Sequence, residues 1–378
     1  MDSRSTRLYR PMAILKGGGY CAPLLPTHPT SSMSNLRKTV RSALWSLLSP
    51  ILVLGTVTAQ SKKIEPTRHP FLWRIEGKDS NATNWLYGTM HLGDDRLLAL
   101  PDVVEKARDA ADAVYCELAF DKMMKKQDTL IKMMMAPPGE SLDRVLPRAL
   151  YDRLDARLKK LGGSIAQVKP FRVWAVGLFL AQFEAAKLGM MQSLDKMLYE
   201  DAKRDDKEVG GLETVEEQMN AIGGGAIEDY IESLHLSLDL ADKFEAQGKT
   251  GLGLMLESYL TGSEKNILDY VEQTMSSDVD LNQRLMKPML EDRNVRMTDR
   301  IIKKLEANPT KKYFFAIGAM HCIGDLGMVT LMREKGYTIT RMQPPTPSWK
   351  EFVEMRNNLT RLRKRVMRLE KRLEAVKK

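Results

Sequence analysis

Two segments of this chain end in the same way. Trp85-Leu86-Tyr87 is an apolar run of strand type followed by Gly88-Thr89-Met90-His91, and the apolar run Tyr313 to Ile317 is followed by Gly318-Ala319-Met320-His321. A strand that closes in Gly-x-x-His delivers an imidazole onto a loop at the edge of a sheet, the glycine allowing a sharp backbone exit. One copy carries little information. Two copies, in a chain with only five histidines, point to a sheet whose strand ends gather imidazoles.

The rest of the pattern supplies that sheet. Phe71 to Ile75 reads as a strand, residues 77–81 as a turn and Asn84 to Tyr87 as the returning strand, so a hairpin leads to His91. Pro101 opens a helical pattern, and Ala113 to Cys116 is a further short strand that ends at Glu117. A carboxylate at a strand end, next in the sheet to the strand of His91, stands where open α/β sheets gather ligands; an edge charge in solvent is the equally weighted alternative. Residues 121–310 carry periodic apolar patterns broken by Gly and Pro pairs, which predicts a large helical insertion covering the strand ends. Its methionine clusters read as core rather than as a peptide groove.

One extended piece interrupts the helices, Glu208 to Thr214. Thr214 and Glu217 form a capping-box pattern for the following helix, which accounts for both residues but leaves Glu213 unexplained at the end of a third strand. Arg293, in a helical stretch, has the fork geometry to orient one of these carboxylates, against the default of a solvated helix face. After His321 come a helix over 325–334 and a last strand over 337–340. The fold class is therefore α/β (α+β), a mixed sheet flanked by helices.

The formal charge of +9 suggests a nucleic-acid or membrane partner until its distribution is considered. Residues 1–60 hold seven Lys/Arg against one acid and residues 356–378 ten against two, so residues 61–355 are about five charges negative and no nucleic-acid partner is expected. Arg37, Lys38 and Arg41 precede an apolar stretch from Ala43 to Val57 that closes on Val57-Thr58-Ala59, the order of a signal peptide cut between Ala59 and Gln60. That stretch is shorter than the roughly 20 residues of a spanning helix, so the chain is expected to be exported, as a periplasmic, secreted or envelope protein. Residues 1–32, ahead of Met33, read as an upstream extension. Cys116 and Cys322 follow the cut, either as a disulfide in an oxidising compartment or as two buried small hydrophobes.

At the other end, a proline linker precedes a heptad seam from Phe352 to Val376 with basic flanks. It predicts a homodimer through residues 352–376, or a helix resting on an anionic envelope surface. The chain divides into residues 1–59 (extension and leader), 60–343 (the body) and 344–378 (linker and basic coiled-coil helix).

Two imidazoles and one or two carboxylates at strand ends are the ligand types of a divalent-metal site with an open position, and without thiolate they suit manganese, cobalt, zinc or iron. The metal-free alternative makes one histidine a general base held by a carboxylate. Six pieces resemble the TraB/PrgY/GumN family, which includes the Tiki proteins: Leu86 to His91, Glu117, Ser193-Leu194-Asp195 with Ala202-Lys203, Gly211 to Gln218, Asp292-Arg293-Asn294, and Ala316 to His321. They fall in the family's order over residues 71–342. The resemblance implies a fold similar to the erythromycin-esterase and ChaN-like proteins. It also implies metal-dependent cleavage of a peptide or protein substrate, with His91, His321 and Glu117 as catalytic or metal-binding residues and Glu213 and Arg293 in support. Other family members imply a peptide-sequestering envelope protein or an esterase-like hydrolase, so three readings compete.

Overall fold

Six strands form one sheet: β1 (Leu72–Glu76), β2 (Asn84–Thr89), β3 (Ala113–Leu118), β4 (Glu208–Glu213), β5 (Tyr313–Gly318) and β6 (Thr338–Arg341), in the order β4-β3-β5-β2-β1-β6. This computed structural model describes residues 69–77, 82–343 and 366. The leader and its Ala59/Gln60 junction, most of the 77–81 turn, the proline linker and the 352–376 seam lie outside the described residues.

Strands β4, β3, β5 and β2 are parallel, and β1 runs antiparallel to both β2 and β6. The mixed α/β class expected from the sequence is the one observed. Every residue of β2 and of β5 is buried. Strands covered by helices on both faces read as continuous apolar runs, which is how Tyr313 to Ile317 reads.

The most apolar strand, β5, takes a central place. It therefore separates β3 from β2, and the expectation that Glu117's strand lies directly beside that of His91 is corrected. A second correction concerns Gly88, which lies inside β2 rather than at a turn. A Cβ there would come within 2.9 Å of the Phe71 Cβ and 3.1 Å of the Ala319 Cα, so the glycine permits a close approach of chains. Cys116 and Cys322 are both buried free thiols, not a disulfide.

Between β3 and β5 the chain is helical apart from β4, as the periodicity predicts. No helix among the described residues is long and apolar enough to cross a membrane. The helix Val215–Gly223 starts on the anticipated capping box. Thr214 Oγ1 accepts from Glu217 N at 3.2 Å and Glu217 Oε2 accepts from Thr214 N at 2.8 Å. Arg300, on the helix Asp292–Ala307, donates two further bonds to Glu217, at 2.8 and 2.6 Å, and so ties the start of one helix to the flank of another.

Those Arg300 bonds, assisted by the Thr214 N–H and opposed by partial burial, pull the Glu217 carboxyl from 4.5 to about 2. A depressed carboxyl contributes stability that is whole above its unfolded value and is lost as pH falls through the folded one. Glu217→Gln is therefore expected to cost about 1 kcal/mol at neutral pH. It should also flatten the loss of stability between pH 4.5 and about 2 in urea titrations. An acid limb identical to that of the parent chain would contradict this role.

Candidate functional site

The four parallel strands deliver their C-terminal ends to one edge of the sheet, where ligands gather in open α/β folds. His91 stands just beyond β2, Glu117 is the penultimate residue of β3, Glu213 ends β4, and His321 follows β5 in the one-turn helix Ala319–Cys322. The structure brings three of them together. His91 Nε2 lies 3.6 Å and His321 Nε2 3.8 Å from the same atom, Glu117 Oε1.

The two imidazoles differ in exposure. The His91 side chain keeps 60% of its surface open and the His321 side chain 5%, so the expected exit loop holds for His91, whereas His321 is buried. The reason is the helical turn, which folds His321 back beneath the helix Asp292–Ala307. There His321 Nδ1 meets Asn294 Oδ1 at 2.6 Å, and Asn294 Nδ2 donates to Leu326 O at 2.8 Å. With the amide so oriented, the His321 proton sits on Nδ1 and its Nε2 lone pair faces Glu117. On His91, Nδ1 lies 3.2 Å from Asp195 Oδ2, and Thr89 Oγ1 donates to the other oxygen of Asp195 at 2.6 Å.

Glu117 is buried and held from three sides. Gly318 N donates to Oε1 at 2.8 Å, while Arg293 Nη2 and Gln218 Nε2 donate to Oε2 at 2.7 and 3.1 Å. Arg293 also grips Glu213 Oε2 at 2.8 Å, and Arg296 takes Glu213 Oε1 at 2.9 Å. Glu213, left unexplained at its strand end by the sequence, is thus held by two guanidinium groups. The turn Lys287–Glu291 is a π-helix that lets Met289 O accept from Arg293 Nη1 at 3.1 Å, and such turns recur at functional sites.

These contacts set the charge states. Burial alone would raise the Glu117 carboxyl, but His91, His321, Arg293 and the Gly318 N–H bring it down to about 2. Burial lowers His321 to about 4 against the pull of Glu117, keeping it neutral. For His91 desolvation acts downward, and attraction to Asp195 and then Glu117 overrides it, raising the imidazole to about 9. With most of that ring open to water, desolvation is the weaker restraint and the upward direction stands.

Among the described residues no group of three or more His, Cys, Asp and Glu is close enough together to hold a metal ion as it stands. The donor set nonetheless suits a divalent cation. The 3.6 and 3.8 Å separations exceed by a few tenths of an ångström the ~3.4 Å edge of a tetrahedron built on ~2.1 Å bonds. Two further observations agree. The His321 Nε2 lone pair faces the ionised Glu117 Oε1, a repulsion that a cation between them would relieve. A Cβ on Gly318 would fall 2.9 Å from His91 Nε2 and 3.1 Å from Glu117 Oε1, so only glycine leaves the cradle between them open.

Asp195, Asn294 and Gln218 lie within the sequence motifs, but no local pattern there assigns them a role. The signal was present for two of them. Asp195 interrupts the buried stripe Leu194, Leu198, Tyr199 and Ala202, and Asn294 the stripe Met297, Thr298, Ile301 and Leu305. A buried carboxylate or amide on an apolar stripe is usually held by a partner inside.

The sequence pattern of the TraB/PrgY/gumN family matches residues 71–341. The chain belongs to this family. Relatives include proteins named Metalloprotease TIKI2 from Danio rerio, 24% identical over 328 residues, covering 74% of this chain and 63% of that protein. A Metalloprotease TIKI homolog from Nematostella vectensis is 25% identical, covering 74% of this chain and 69% of the relative. Metalloprotease TIKI1 from Homo sapiens is 23% identical, covering 75% and 64%. The chain thus spans about two thirds of the length of these curated relatives. No solved structure gives a significant match. The family match covers both Gly-x-x-His segments and every residue of the network described above.

If Asp195 raises His91, Asp195→Ala should move the His91 titration down from about 9 toward its ordinary 6.5. NMR titration of the ring in chelator-treated protein reads this directly. An unmoved value would assign the shift to Glu117 alone.

Proposed function

We propose that this protein is an exported, metal-dependent peptidase whose divalent ion is held by His91 Nε2, His321 Nε2 and Glu117 Oε1. One observation carries the reading: two imidazole nitrogens, each with its Nδ1 engaged elsewhere, converge on a single oxygen of a buried carboxylate. Metal-binding histidines are oriented in this way by a carboxylate or carbonyl on their second nitrogen. The relatives named metalloproteases support the same choice, and the leader read in the sequence supports export.

A divalent ion in this position supplies Lewis acidity toward a scissile carbonyl and acidifies water for attack. The chain's own residues prepare for it. Asp195 and Asn294 fix the two ring orientations, and Arg293 keeps Glu117 ionised by occupying Oε2, which leaves Oε1 to face the imidazoles. Glu213 acts through Arg293 as a positioning residue. The open His91 edge admits substrate, and the buried His321 forms the closed wall. Nitrogen and oxygen donors without thiolate accommodate manganese, cobalt or zinc.

A single experiment tests the reading. The purified chain is stripped with chelator, reloaded with manganese, cobalt or zinc, and assayed for bound metal and for turnover of a peptide library. The parent chain should bind metal stoichiometrically and cleave, and chelator should stop it. His91→Ala and His321→Gln should lose stoichiometric metal and at least about a hundredfold in kcat/KM, the scale of a few kcal/mol of transition-state stabilisation. Thermal unfolding of His321→Gln guards against simple misfolding at that buried position. Cleavage that survives chelation would favour a general base built on the His91–Asp195 pair, and saturable peptide binding without cleavage in any metal would favour sequestration.

A further inference from the structure

A cleft of about 620 Å³ lies along one side of the sheet, lined by neither of the two histidines nor by Glu117. It follows the edge strand β4 from Glu208 and Tyr313 at one end to Glu213 and Val215 at the other. Residues of the helices Asp292–Ala307 and Phe120–Lys125 contribute to its lining. The six residues of β4 span about 20 Å, enough for several residues of extended peptide.

Its charge is unbalanced. The lining holds six cations, Lys122, Lys126, Arg300, Lys303, Lys304 and Lys311, against the carboxylates Glu208 and Glu213. Both carboxylates are already matched, Glu208 by Lys311 and Glu213 by Arg293 and Arg296. Lys126 pairs with Glu216 and Arg300 with Glu217. Among the described residues Lys122, Lys303 and Lys304 make no ion pair, in a body that is about five charges negative by sequence. Lys304 rests its ammonium 3.9 Å over the Tyr115 ring. Burial, relieved by Glu208 but reinforced by Lys311 and Lys122, draws its pKa down. It is a cation held where a carboxylate would relieve it. Between the lysines the half-buried Leu118 and Met123 present apolar surface, over the buried Ala119, Leu212 and Val215.

We propose that this cleft docks an acidic, extended segment of the polypeptide substrate, with its carboxylates on Lys122, Lys303 and Lys304 and its apolar side chains on the surface between them. That the segment is substrate rests on the peptidase reading; that it is acidic and partly apolar rests on the cleft alone. Glu213 lines the cleft at the C-terminal end of β4, and that is the edge of the sheet at which Glu117 and the histidines also stand.

The test uses the full chain in chelator at about 0.1 M salt, where charges farther apart than a Debye length are screened. The probe is a fluorescent peptide alternating Glu and Val, compared by anisotropy with the same peptide carrying Gln for Glu. The acidic peptide should bind at least about tenfold more tightly, a preference worth about 1.4 kcal/mol. Lys122→Glu combined with Lys303→Glu should abolish that preference, and Lys122→Arg with Lys303→Arg should keep it. The basic residues 356–378 remain in every variant, so they cannot produce the difference. Equal binding of the two peptides, or a preference untouched by the double Glu variant, overturns the inference. So does a sulfated polysaccharide without apolar side chains that displaces the peptide at equal charge concentration, since it would mark a general polyanion surface. Peptide preference alongside no cleavage by the parent chain in any metal upholds docking of an acidic segment and removes only its status as substrate.

Discussion

The buried ion pair between Arg293 and Glu117 is the interaction on which the rest of the candidate site depends. Both side chains are almost wholly removed from water, and a lone buried carboxylate would take up a proton or force the site open. The structure meets that cost by satisfying every oxygen. Glu213 balances the second edge of the guanidinium, Arg296 balances Glu213, and Gln218 and the Gly318 N–H complete Glu117. Deleting one partner of such a pair leaves an uncompensated charge, typically at a cost of about 3–5 kcal/mol. The network is therefore as much a condition of folding at this edge as a device for chemistry.

Because Oε2 of Glu117 is spent on this network, Oε1 is the atom left to face the histidines. The rings arrive there from different environments. His91 is tethered by Asp195 and open to solvent, and His321 is enclosed and held by Asn294. One imidazole is thus drawn toward its charged form and the other kept neutral, by surroundings rather than by any difference in the two motifs. The cleft along β4 follows from the same architecture. An edge strand leaves one flank to be covered by helices, and here those helices bring more lysine than carboxylate.

The repeated Gly-x-x-His, the strand end at Glu117, the capping box at Thr214 and the helical character of residues 121–310 were legible in the sequence because each is a local property. Apolar runs mark buried strands, and the Thr214/Glu217 spacing is itself a hydrogen-bonding geometry. The two glycines preceding the histidines were visible too, but their reason was not. Gly88 accommodates Phe71 and Ala319, and Gly318 leaves room between His91 and Glu117, which are contacts with residues remote in sequence.

Tertiary structure alone decided the strand order, which placed the His321 strand between those of Glu117 and His91. It also decided that Glu213 stops at Arg293 and Arg296, that Cys116 and Cys322 remain apart, and that Asp195 and Asn294 orient the rings. Periodicity reports which face of an element is buried, but not which element it meets, and a polar residue's partner is set by that meeting. The sequence by itself therefore determined which residues stand at strand ends. Which of them share an oxygen, and which are held off by a guanidinium, follows from packing between segments as many as 200 residues apart, whose pairing no local pattern encodes.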